Sequence, residues 1–328
     1  MSEAGALTGH WSARLLGGGA LVVLGAAMAA WAAWSALQAP PAPYEQSIAP
    51  AAALGDLPGT TLERVEVRAT GEKRVIAAGL VTHDGGRGVV PLSWSNAVTE
   101  PVFFADLDLA DSVRVLAAIR EHVGSDAIVL AWWDMSRRIR AVAARKAPLD
   151  DPLARGLLIP AAWSGEAGRI LQRQQAFWGA GAAVQDAEAF ELFLDALLMD
   201  EAHGAAALRA IAKGKETYIV LRLADVWRLA ATRPSFLQIA YKDFAAADVH
   251  GAMKAARLWL QENGVVGGYA VEPRGAATRL HYLTRAQDSQ ILLARLLPFS
   301  TSNPLTLENF ELVYQHKDCW IYRLKPPP

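Results

Sequence analysis

The chain is expected to fold as an α/β protein: an N-terminal transmembrane helix and a Pro-rich linker, then a β-rich segment leading into an alternating α/β body around a central mixed sheet. Three observations predict this. One long uncharged apolar run lies near the N-terminus, prolines crowd the segment after it, and short apolar runs alternate with segments of helical spacing from about residue 111 onward. At 328 residues there is material for one large or two medium domains, and the 52% hydrophobic content leaves room for a membrane segment as well.

Residues 1–14 read as a cytoplasmic N-terminus and 15–37 as the transmembrane anchor. No charge occurs between Arg14 and Glu45, and 23 residues at ~1.5 Å each give ~35 Å, enough to cross a hydrocarbon core of ~30 Å. Trp11 on one side and Trp31 with Trp34 on the other sit where an aromatic belt belongs. A cleaved signal peptide is the competing explanation, although the run exceeds the usual signal core. Arg14 precedes the segment while Glu45, Asp56 and Glu63 follow it. The positive-inside rule then puts the N-terminus inside and the body outside, which in a bacterium means an inner-membrane protein with a periplasmic body.

Residues 38–60 carry Pro40, Pro41, Pro43, Pro50 and Pro58 with few large apolar groups, and are expected to be a semi-extended spacer. From 61 to 110 the pattern is β: Val65 and Val67 alternate with charged neighbours, and Asp84-Gly85-Gly86 is turn chemistry. Asp106 and Asp108, with Asp111, are weak candidates for a hard-cation site. The favoured alternative is a strand end followed by a helix opened by Asp111.

The α/β body occupies 111–328. A helix over 111–123 ends at Gly124, and a strand over 126–133 leads into Trp132-Trp133-Asp134. A helix with a basic face follows over 135–146. Further helices are expected near 166–178, 186–199, 201–213 and 246–263, with strands at 216–221 and 236–241. The runs 310–314 and 320–324 read as a closing hairpin.

Ligands collect at the carboxyl ends of strands in open α/β sheets, so the candidate binding residues are Trp132, Trp133, Asp134, Ser136, Arg137 and Arg138. Asp134 either accepts hydrogen bonds from a ligand walled by the two indoles or caps the following helix. Arg137 and Arg138 either bind an anion or form a solvated helix face. The composition narrows the rest. Net charge is −1 with no basic cluster, against a nucleic-acid partner. Cys319 is the single cysteine, so a Cys-x-x-Cys-His haem attachment and Cys-rich zinc sites are excluded. The seven histidines are scattered singly, and no nucleophile elbow or phosphate loop appears. No catalytic set, cofactor or metal is expected, and the balance leans away from an enzyme.

Two resemblances meet at these residues. The Trp132-Trp133-Asp134 run and the closing hairpin resemble the extracytoplasmic domain of oligosaccharyltransferase catalytic subunits, where a Trp-Trp-Asp-x-Gly motif reads the acceptor peptide. Ser136 stands in place of the glycine, and the membrane spans bearing that family's catalytic acids are missing, so the resemblance implies at most a peptide- or small-ligand-binding module without transferase activity. Over the whole chain, the anchor, spacer and α/β body with the stretch Ala131–Arg140 resemble the hydroxylamine oxidation protein HaoB family. That resemblance implies a membrane-anchored periplasmic accessory protein in hydroxylamine oxidation, with a multihaem cytochrome oxidoreductase as its partner.

Overall fold

Alternation of buried and exposed side chains builds the first sheet. In β2 (Glu63–Ala69) Val65 and Val67 point inward between charged neighbours. The strand pairs antiparallel with β1 (Tyr44–Pro50) and β3 (Val75–His83), and β3 also pairs with the short β4 (Val89–Pro91) and β5 (Ser95–Asn96). The computed structural model describes residues 42–51, 61–179, 184–245, 249–274 and 277–327, together with Met28. All the elements named below lie in one compact unit, Pro43–Pro328. The expected anchor at 15–37 lies outside the described residues except for Met28. Among the described residues, no helix is long and apolar enough to cross a membrane.

β1 corrects the expectation of a spacer over 38–60. Its prolines fall just before the strand and at its last position, where an edge strand tolerates a missing donor. Tyr44 anchors it: the side chain is 1% exposed, its hydroxyl accepts a hydrogen bond from Gln174 Nε2, and its ring packs on Phe103 and Trp163. One aromatic anchor and backbone pairing suffice for an edge strand, so the low apolar content of the segment was no bar. Residues 52–60 lie outside the described set.

The central sheet is mixed, in the order β11–β12–β7–β6. β6 (Ile128–Ala131) runs parallel to β7 (Thr217–Arg222), while β12 (Cys319–Leu324) runs antiparallel to β7 and to β11 (Phe310–His316). Every residue of β7 is buried, as a strand covered on both faces must be. One face packs against α1 (Leu109–His122) and α2 (Trp133–Arg138) through Ile119, Val129, Met135, Val220 and Ile321.

The closing hairpin is present, and Lys317 turns it with φ 48. Asp108 caps α1 by accepting the Asp111 N–H, while Asp111 sits in the first turn and binds His316 and Lys317 of the hairpin turn. The cap is therefore three residues earlier than expected. Asp106 accepts from Asn96 and pairs with Arg274, so the Asp106 and Asp108 carboxylates serve a loop and a helix end. α2 is shorter than the expected 135–146 helix: it passes into a π-turn, Ile139–Ala143, and stops where Ala144 turns left-handed.

Among the described residues the remaining α-helices are α3 (Ala167–Trp178), α4 (Val184–Leu198), α5 (Glu201–Ala212), α6 (Ala224–Thr232), α7 (Val249–Glu262) and α8 (Leu292–Leu296). A third, antiparallel sheet runs β8–β10–β9 (Ile239–Ala245, Ala277–Leu283, Tyr269–Arg274). α7 covers one face of it through Ala256 and Leu260. The expected strand at 236–241 begins three residues later, after the Arg233–Leu237 turn.

Replacing Tyr44 by Ala is expected to cost about 3 kcal/mol, the scale of a buried aromatic truncation. Urea denaturation of the full chain reads this as a lowered midpoint; an unchanged midpoint would mean that β1 adds nothing to the fold.

Candidate functional site

The expected binding corner is sealed. Trp132, Trp133, Asp134, Ser136, Arg137 and Arg138 are each no more than 2% exposed, so none of them presents a surface to a ligand. Asp134 does not cap α2 either: Trp132 is the cap residue and makes no side-chain capping bond. Arg137 and Arg138 are neither a solvated face nor an open anion site. What the corner holds is a buried ionic network.

Asp134 sits at its centre. Its Oδ2 accepts from Arg138 Nη2 at 2.8 Å and its Oδ1 from Arg228 Nη1 at 2.7 Å. Arg228 reaches on to Asp225 at 3.2 Å, Asp225 accepts the Arg222 backbone N–H, and Arg222 pairs with Asp318 at 2.6 Å. On the other side Arg137 pairs with Asp150 and donates to the Trp178 carbonyl, while Arg140 bridges Asp84 and Asp150. The helix places Asp134 and Arg138 four residues apart on one face. α6 does the same for Asp225 and Arg228 at a spacing of three.

The indoles complete the enclosure. Both Trp132 and Trp133 donate to the Arg155 carbonyl, Arg137 lies over the Trp133 ring, and Arg228 over the Trp132 ring. Gly156 has φ +75, and a Cβ there would stand 2.5 Å from the Trp132 ring, so only glycine lets this loop close on the indole. Burial by itself would raise the Asp134 carboxyl, but the Arg228 and Arg138 guanidiniums hold it well below the usual carboxylate range. Asp225 goes the other way: burial and the nearby Asp134 charge push it up despite Arg228.

A recess does exist at the carboxyl end of a strand, on the neighbour of β6. A cleft of about 950 Å³ opens just past β7, where Leu223 and Ala224 line it. α6 and the 155–161 loop form one wall and the β8–β10–β9 sheet the other. None of the six expected binding residues Trp132, Trp133, Asp134, Ser136, Arg137 and Arg138 lines it, whereas Arg155, Trp227, Arg279 and His281 do. Asp318 and Asp106 also line it, so the outer end of the buried network reaches the cleft.

Sequence reasoning missed Asp150, Asp151, Arg222, Asp225 and Arg228. Two signals were present. Asp150-Asp151 lies between prolines yet adjoins apolar residues, and Arg222 ends a strand whose other positions are apolar or β-branched.

A family model described as HaoA-associated protein HaoB matches residues 11–324. The chain belongs to the HaoB family. No curated protein matches it in sequence. In this HaoB-family chain the match spans both the residues described here and the apolar N-terminal segment, and the Ala131–Arg140 stretch belongs to the buried framework of the fold.

Two outcomes follow from the geometry. Asp134→Ala leaves Arg138 and Arg228 buried without their carboxylate and is expected to cost about 3–5 kcal/mol, read as a lowered denaturation midpoint; a loss below ~1 kcal/mol would show that the network is not fully desolvated. Cys319 is 3% exposed and burial pushes its thiol up to about 12. It should therefore stay unreactive toward Ellman's reagent at pH 8 in the native chain and release one thiol equivalent only in guanidinium.

Proposed function

We propose that this protein is a periplasm-facing accessory protein, tethered to the bacterial inner membrane through the 15–37 segment. It associates with HaoA, the multihaem hydroxylamine oxidoreductase, and supplies no haem of its own. The observation that carries this reading is the match over residues 11–324 to a family described as HaoA-associated. The cysteine inventory supports it. The one thiol, Cys319, is buried in β12 between Arg222 and Asp318, where it cannot serve as a covalent haem attachment. The uninterrupted apolar run and the charges flanking it support the tether and its orientation. The peptide-reading alternative at Trp132-Trp133-Asp134 loses the surface it required, because Asp134 is fully engaged by two arginines.

An affinity-tagged full chain purified from native membranes is expected to bring HaoA with it, identified by mass spectrometry and by the Soret band of the complex. After the partner is stripped at high salt, the chain itself should be colourless. Stoichiometric haem on the stripped chain, or a membrane pull-down free of HaoA while HaoA is abundant in the same cells, would reject the proposal.

A further inference from the structure

We propose that the cleft beside α6 is a binding site for an uncharged, largely apolar small molecule carrying a carbonyl or hydroxyl oxygen. The inference stands apart from the association with HaoA and needs no partner protein. The cleft's volume, about 950 Å³, lies at the upper end of the ~300–1,000 Å³ range of small-molecule sites. One wall is aliphatic: Leu157, Leu158 and Leu171 face it, and α6 contributes Ala230 and Ala231, whose small side chains leave the volume open. The other wall is the sheet face that α7 does not cover, and it carries Glu272, Arg274, Arg279 and His281.

The ligand's charge follows from how those polar groups are spent. Arg279 gives two short hydrogen bonds to the Asp243 carboxylate and lies over the Tyr241 ring at 4.0 Å. Trp227 Nε1–H can only donate, so Nδ1 of His281 is its acceptor at 3.0 Å; the ring proton then sits on Nε2, directed at Glu272 at 3.0 Å. At the rim, Arg155 and Arg233 share Glu191, and Asp318 is held by Arg222. Every charged side chain that lines the polar wall and the rim arginines thus already has an opposite charge or a hydrogen-bond partner inside the protein.

An ion entering here would lose its water where the arginine charges are already matched by carboxylates and Glu100 already accepts the Ala161 N–H, which is unfavourable by the ordinary cost of burying ions. A neutral apolar body incurs no such cost and gains from the aliphatic wall. Arg274 keeps donor capacity. Among the described residues, Arg274 makes two long contacts, 3.4 Å to Asp106 and 3.3 Å to Glu272. Its guanidinium therefore keeps N–H groups for a neutral oxygen, which fixes the polar end of the ligand.

The test uses the full chain held in amphipol and a matched set of ten-carbon probes: 1-decanol, 2-decanone, decanoate and decylamine, titrated by calorimetry. The alcohol and ketone are expected to bind saturably, one per chain, and the two charged probes at least tenfold more weakly. Ala231→Trp, at an exposed helical position on the cleft wall, should abolish binding of the neutral pair, and Ala230→Leu should weaken it by at least tenfold. Circular dichroism of each variant confirms that it is folded, and if one variant fails to fold the other decides. The proposal is overturned if the neutral probes give no saturable heat, if a charged probe binds as tightly as they do, or if binding is unchanged in a folded variant.

Discussion

Everything around the Trp-Trp-Asp corner depends on one ion pair set, the carboxylate of Asp134 between the guanidiniums of Arg138 and Arg228. Three charges without water are costly singly. Together, with Asp225, Arg222 and Asp318 continuing the alternation of sign, they leave little uncompensated charge. The stabilisation relative to an apolar core of the same volume is small by this physics; the geometric demand is large. A hydrophobic contact tolerates a shift of an ångström, and a buried two-sided carboxylate does not.

That demand joins distant parts of the chain. α2 supplies Asp134 and Arg138, α6 supplies Asp225 and Arg228, β7 ends in Arg222, and the β11–β12 turn brings Asp318. A second branch through Arg137 and Arg140 fastens the 148–152 loop and Asp84 of the first sheet. Six segments, from Asp84 to Asp318 along the sequence, are held in register by charge. The adjacent cleft inherits this rigidity, since α6 forms one of its walls and Asp318 and Asp106 mark where the network reaches it. The corner that looked like a site is thus a fastening, and the recess lies next to it at the end of the neighbouring strand.

Much of the fold was legible from residue order. The alternation around Val65 and Val67, the largely apolar β7, the amphipathic α7 and the closing hairpin all appear where periodicity places them, because each is decided by its own side chains and near neighbours. β1 escaped, since an edge strand with a single aromatic anchor has no periodic signature. The expected helix after Asp134 is too long because no breaker residue marks its π-turn or the left-handed Ala144, where Arg120 donates to the Val142 carbonyl and Arg145 to those of Arg120 and Val123. The candidate site was legible only as a place. Strand-end logic pointed to the right edge of the sheet. The arginines on α2 looked solvated because what encloses them comes from elsewhere: Arg137 meets Asp150 of the following loop, and Arg138 shares Asp134 with Arg228 of α6.

By itself the sequence determined which stretches become most of the strands and helices, that one lone cysteine rules out a Cys-x-x-Cys-His haem attachment, and that an uncharged apolar run stands at the N-terminal end. Those properties are local: hydrophobic period, turn chemistry and composition act over a few residues. Only the tertiary structure decided whether a charge faces water or another charge. Asp134 and Arg228 are 94 residues apart and 2.7 Å from each other, and solvation depends on that second distance.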